Sequence, residues 1–381
     1  MAAVPRTART FAALTLAFGL IALAVPRTAP AAPVADSPAA PPAADVKGVL
    51  DKAYAALKAK QNDDGSFAPK LGGPGITALT AAALIRAGHG ADDPVVAKAL
   101  KYLETRVKPD GGVYDKGLAN YTTCLAIMTF KEANKDGKYD KVIESATKFV
   151  KGLQYGEGTD PKDVKFGGTG YDGKSRPDLS NTQFFVEALV AAGTPKDDPA
   201  IKKAVAFISR SQNLPGEFND QPYAAKASDD DKGGFVYNPL DQSNDKSDKR
   251  TADGGLRSEG GMTYAGLKSF LYAGVGKDDP RVKAAVGWIK RHYTVDENPG
   301  MGKAGLFYYY QTFAKAMTAL GEDEFEDAKG VKHPWRKELF EKLKAGQKPD
   351  GSWANDNKAF LENQPELATA FAVLALTYCE K

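Results

Sequence analysis

An eight-residue pattern, Ala-Gly-x-x-x-Asp-Asp-Pro, occurs three times in this chain, at residues 87–94, 192–199 and 273–280. Each copy follows one apolar stretch and precedes another. The chemistry of the pattern describes a helix–corner–helix. Gly88, Gly193 and Gly274 can take the left-handed conformation that ends a helix. The second Asp caps the next helix, and Pro fills its first position, where no N–H is needed. After each Pro a helical period resumes, as in Val95, Ala99, Tyr102 and Leu103.

A second pattern alternates with the first. Gln61-x3-Gly65-x-Phe67, Gln212-x3-Gly216-x-Phe218 and Gln347-x3-Gly351-x-Trp353 share one spacing. Lys108-Pro-Asp-Gly-Gly-Val113 and Gln154-x3-Gly158 are degraded copies. The glycine permits a turn, and the Gln side chain can cap free backbone groups at a helix end. The two patterns together predict six helix pairs. First helices are expected near 46–61, 93–107, 139–154, 197–211, 279–293 and 334–346, and their partners near 75–87, 118–132, 179–192, 259–273, 304–320 and 364–379. The partners are rich in Ala, Leu, Thr and aromatics and are expected to be buried, with the Lys-bearing first helices outside. The last partner helix is as apolar as the others and lacks a polar capping face, which favours a closed ring over an open solenoid.

The Gln-x3-Gly-x-Trp/Phe pattern resembles the QW motif of squalene–hopene and oxidosqualene cyclases. The wider pattern resembles the prenyltransferase and squalene oxidase repeat family, over residues 46–381. This resemblance implies an all-α fold, an α6/α6 toroid in which inner and outer helices surround a central cavity. Triterpene cyclases of that family have two such domains and an Asp-x-Asp-Asp-Thr motif whose middle Asp protonates the substrate. The matching stretch here is Asp178-Leu179-Ser180-Asn181-Thr182. Ser180 and Asn181 replace the two acids. A serine hydroxyl cannot protonate an alkene, so the resemblance carries the fold further than the activity. Protein prenyltransferases of the same fold bind zinc through Asp, Cys and His. Cys124 has no Asp two residues before it, so no metal or cofactor is expected. The Cys-Gly-Glu-Gln thioester of complement-like toroids is absent.

The N-terminus reads as an export signal. Arg6 and Arg9 precede an apolar run of 15 residues, 11–25, and Ala29-Pro30-Ala31 offers a cleavage site. Residues 1–31 are therefore expected to direct export to the periplasm or exterior, the alternative being an uncleaved anchor. Residues 32–45 are rich in Pro and Ala and read as a linker before the toroid. The chain holds 51 Lys and Arg against 48 Asp and Glu. Cleavage would remove Arg6, Arg9 and Arg27 and no acid, leaving net zero, which argues against a nucleic-acid partner. Two cysteines, Cys124 and Cys379, make no disulfide framework. After the leader no apolar run approaches the length of a membrane span.

Apart from Asp230, the candidate site residues sit at the starts of the expected inner helices. Asp178 is either a cavity acid or an N-cap. Ser180, Asn181, Thr182 and Gln183 either bind a ligand or cap the helix. Asp230, within Asp229-Asp230-Asp231, belongs to a long loop and is either a catalytic or metal-binding acid or a solvated one. Glu259, Thr263 and Tyr264 open the fourth inner helix, and Tyr308 and Tyr309 the fifth. Two segments, 166–171 and 233–239, each set an aromatic beside two glycines and are either lids over one mouth or packing turns. The leading expectation is a cavity that binds an isoprenoid-like or other apolar ligand. The alternatives are a scaffold that binds a protein or cell-surface polymer, and a terpenoid cyclase or prenyltransferase with a relocated acid.

Overall fold

The computed structural model describes residues 40–380 of the chain. The expected leader and residues 32–39 of the linker lie outside the described residues. Thirteen α-helices follow in order: α1 (Ala43–Lys60), α2 (Pro69–Gly72), α3 (Pro74–Arg86), α4 (Pro94–Glu104), α5 (Ala119–Ala133), α6 (Asp140–Gly152), α7 (Leu179–Ala191), α8 (Pro199–Arg210), α9 (Gly260–Tyr272), α10 (Pro280–His292), α11 (Leu306–Leu320), α12 (Trp335–Gly346) and α13 (Pro365–Leu376). The first helix starts at Ala43, so the end of the expected linker is helical. Pro42 stands just before it, and Asp45 places an acid in its first turn.

Helices α3, α5, α7, α9, α11 and α13 are buried on nearly all sides. Each packs against the next, and α13 packs back on α3, which closes the ring. The outer helices α1, α4, α6, α8, α10 and α12 bury one face. The all-α toroid expected from the repeats is the observed fold.

The corner pattern does what its residues predict. Asp93, Asp198 and Asp279 accept from the N–H groups of Val95, Ala200 and Arg281 at 2.9, 2.8 and 2.9 Å. Behind them, His89 N–H reaches Leu84 O, Thr194 reaches Leu189 and Val275 reaches Phe270, the six-residue closure of a helix that ends on a left-handed glycine.

The Gln of the second pattern has a larger role than capping its own helix. Gln61 Nε2 donates to Gly65 O at 3.1 Å and across to Val95 O of α4 at 2.8 Å. Gln154 joins Gly167 and Ala200 of α8, both at 2.9 Å. Gln212 joins Gly233 at 3.0 Å and Arg281 of α10 at 2.8 Å. Gln347 joins Gly351 and Val49 of α1, both at 3.0 Å. Each amide staples the end of one outer helix to the next outer helix around the ring, and the last staple, from α12 to α1, closes it from outside.

These bonds correct two motif assignments. The glycines that answer Gln154 and Gln212 are Gly167 and Gly233, not Gly158 and Gly216. The residues between are insertions into the turn. The same register appears in a second set of bonds. Phe67, Val113, Thr169, Phe235 and Trp353 donate their N–H groups to Thr77, Thr123, Thr182, Thr263 and Thr369, at 2.9 to 3.0 Å. One threonine in the first or second turn of each of five inner helices thus anchors the turn before it. In α11 that register holds Tyr310, whose hydroxyl donates to Val295 O.

Candidate functional site

The repeat threonines locate the cavity. The residue two positions before each is Gly75, Tyr121, Ser180, Gly261 and Leu367, and Tyr308 stands two before Tyr310. All six line one cavity of about 310 Å³. The N-terminal ends of the six inner helices therefore meet around one space. Leu79, Leu125 and Phe371, one turn deeper, form apolar walls. Tyr171 and Tyr237 cover the mouth, their hydroxyls 3.4 Å apart. They belong to the two glycine-rich segments, so those segments serve both readings: the glycines make repeat turns and the tyrosines after them form a cover.

The C-terminal strap brings two more apolar residues. Phe360 and Leu361 line the cavity in the left-handed conformation, at φ 57° and 63°. Such backbone costs of order 1 kcal/mol or more per residue. Glu362 holds it in place. Its buried carboxylate accepts from Tyr308 N–H at 2.8 Å, Phe307 N–H at 3.2 Å and Asn355 Nδ2 at 2.8 Å. An anion at the start of α11 also meets the positive end of the helix dipole.

Of the residues expected at the site, Ser180, Tyr308 and Glu259 line the cavity. Glu259 is 5% exposed, and burial raises its pKa against the pull of Lys249, whose ammonium lies 2.7 Å away. Asp178 does not line the cavity. Its carboxylate caps α7 by accepting from Asn181 N–H at 2.8 Å and Asn181 Nδ2 at 2.9 Å. Burial lifts its pKa to about 6, against the opposing effect of those donors. Asn181 is thereby engaged with Asp178 rather than a ligand.

Thr263 is the repeat threonine of α9 and faces the turn at Phe235. Tyr264 and Tyr309 meet edge to face, and both pack at a tilt against Phe313 in the inter-helix core. Asp230 is far from this chemistry: its side chain is 84% exposed and 3.4 Å from His292. Its neighbours diverge, Asp229 to Lys232 at 2.6 Å and Asp231 inward to Ser258 N–H at 2.7 Å. The loop that holds them is ordered around a small cluster of Tyr223, Ala224, Val236 and Leu256. Among the described residues no three His, Cys, Asp or Glu side chains converge as metal ligands.

Gln183 lies one turn below Ser180, out of the cavity but tied to it. Its Nε2 donates to Tyr308 Oη at 3.3 Å, and its Oε1 accepts from Lys268 Nζ. Lys268 is fully buried and pairs with Glu187 at 2.6 Å, and Lys315 reaches the other oxygen of Glu187 at 2.5 Å. Burial pushes Lys268 down to about 8, against the attraction of Glu187. Burial also opposes ionisation of Glu187, but the two ammoniums outweigh it and hold the carboxyl at about 2. Sequence reasoning missed this triad. Its signal is spacing: Glu187, Lys268 and Lys315 each stand seven residues after a cavity position, two helical turns deeper on the same face.

A closed ring of paired helices around an apolar cavity defines an α6/α6 toroid. Residues 72–230 match the family model of the squalene–hopene cyclase C-terminal domain. Solved structures agree in fold. The type II terpene cyclase MstE from Scytonema superposes with a TM-score of 0.51 at 14% identity, covering 88% of this chain and 98% of that one. A protein from Actinoplanes gives 0.53 at 17%, covering 88% and 100%, and a D-mannose isomerase 0.55 at 13%, covering 89% and 98%. No curated protein gives a significant match. Among the described residues no helix is long and apolar enough to cross a membrane.

Proposed function

We propose that this chain binds one apolar, isoprenoid-like molecule in the toroid cavity, does not cyclise it, and works after export. The cavity carries this reading. It is at the small end of the range for ligand sites, about 300–1,000 Å³. Its walls are mostly aliphatic and aromatic, with few polar groups. At the position where the resemblance places a proton donor, Ser180 offers a hydroxyl. Of the buried acids nearby, Asp178 is committed to its cap, Glu259 is paired with Lys249, and Glu362 holds Asn355 and the start of α11.

The test is extraction of the protein purified from its native host, with mass spectrometry of the lipid and calorimetric titration with farnesol. About one apolar lipid per chain, or saturable farnesol binding abolished by the cavity-filling Ser180→Phe, is expected. No co-purified lipid together with no farnesol binding refutes the proposal. For export, N-terminal sequencing of the mature protein is expected to begin at Ala32. An intact Met1 in the cytoplasm refutes that part.

A further inference from the structure

Hydrogen-bond direction inside the ring specifies one end of the ligand. A lysine ammonium has donors only. Lys268 therefore fixes the amide of Gln183 with Oε1 toward the ammonium and Nε2 toward Tyr308 Oη, 3.3 Å away. Tyr308 Oη accepts from that donor and keeps its own proton and further acceptor capacity. Ser180 Oγ stands 3.2 Å from it and has no other hydrogen-bond partner among the described residues. The order Lys268, Gln183, Tyr308 thus donates at each step toward the cavity, and within the Tyr308–Ser180 pair one hydroxyl donates to the other. The pair therefore keeps one hydroxyl proton for whatever the cavity holds. Each bond polarises the next, and the source is an ammonium in a buried cluster that carries two cations and one carboxylate.

We propose that the Ser180–Tyr308 pair is a donor subsite for an acceptor oxygen, so that the ligand is an apolar chain ending in a carbonyl-type group rather than a pure hydrocarbon. This rests on the reading of the cavity as a ligand site and adds the class of ligand. A hydrocarbon would bury that hydroxyl proton without an acceptor, and an unmade buried hydrogen bond is penalised.

The experiment compares two probes of one shape on the intact protein: geranylacetone, and the triene in which its carbonyl oxygen is replaced by a CH2 group. Calorimetry on the wild type is expected to show the ketone binding about tenfold tighter. In the Ser180→Ala/Tyr308→Phe double variant the ratio is expected to fall to near one, with triene affinity kept within about threefold. Circular dichroism melts confirm that the variant is folded. Equal binding of both probes by the wild type overturns the subsite and leaves the apolar cavity standing. A tenfold preference that survives in the double variant also overturns it. Binding of neither probe overturns the cavity reading together with the subsite.

Discussion

Gly351→Ala offers the sharpest test of how the ring is closed. Gly351 has φ +85°, and a Cβ there would lie 2.3 Å from Lys52 O of α1. Gly158 has nearly the same backbone, φ +79°, with nothing within 4 Å of its Cβ. The pair separates conformational strain from close approach. Placing Ala in the left-handed region costs about 1–2 kcal/mol at either site. At Gly351 the turn must also retreat from α1 by roughly 1 Å, because real contacts of a methyl with an oxygen start above 3 Å. That movement pulls on both bonds of Gln347, each worth about 0.5–1.5 kcal/mol, and on Trp353, which is 1% exposed. Gly351→Ala should therefore cost about 2 kcal/mol more than Gly158→Ala. Urea unfolding followed by tryptophan fluorescence measures both, and the three tryptophans, Trp288, Trp335 and Trp353, all lie in the ring. Equal losses, within about 0.5 kcal/mol, would show that the approach of the turn to α1 is not what closes the structure.

Three further outcomes follow from the buried charges and from Ser180. Because burial raises Asp178 to about 6, the fold favours its protonated form; that stability is full below about pH 4 and lost as pH rises through 6. Asp178→Asn keeps an N-cap, so its stability relative to wild type should climb by up to about 3 kcal/mol between pH 4 and 6, and a flat difference in denaturation midpoints over that window refutes the burial argument. Glu187→Gln leaves two ammoniums without their carboxylate and should cost about 3–5 kcal/mol at pH 7, read by thermal and urea unfolding; a loss under 1 kcal/mol contradicts the triad. Squalene in detergent should yield no cyclic product, since a general acid is worth roughly 10²–10⁴-fold and Ser180 supplies none; hopene-like product by gas chromatography would reveal a relocated acid.

The sequence carried the helices well because each boundary is written in local chemistry. The Gly and Asp-Pro corners fix ends within a turn, and every inner helix starts within about two residues of its expected position. The site was only partly legible. Ser180 and Tyr308 were found because they begin inner helices, but so do Asn181, Thr263 and Tyr309, and proximity in sequence cannot tell which of these face inward. On a helix, neighbours point about 100° apart, so one register position faces the axis and the next faces a neighbouring helix. The repeat threonines supply that register, but reading them requires knowing that Gly167 and Gly233, not Gly158 and Gly216, close the turns. Glu187, Lys268 and Lys315 were hidden for a different reason: three helices far apart in sequence must be aligned before their charges coincide.

The amide staples also bear on how such a ring can acquire new specificity. Gln61 and Gln347 reach a glycine four residues on, whereas Gln212 reaches one 21 residues on, yet the bonds are the same within a few tenths of an ångström. By loop-closure entropy, lengthening a flexible connection from 4 to 21 residues costs only about 1.5 kcal/mol. Tyr237 arrives at the cavity mouth on the chain that leaves the longest of these detours. The barrel and its lip can thus diverge at different rates: a fixed frame tolerates long excursions at one rim, and each excursion can carry a new side chain to the ligand without disturbing a single inner helix.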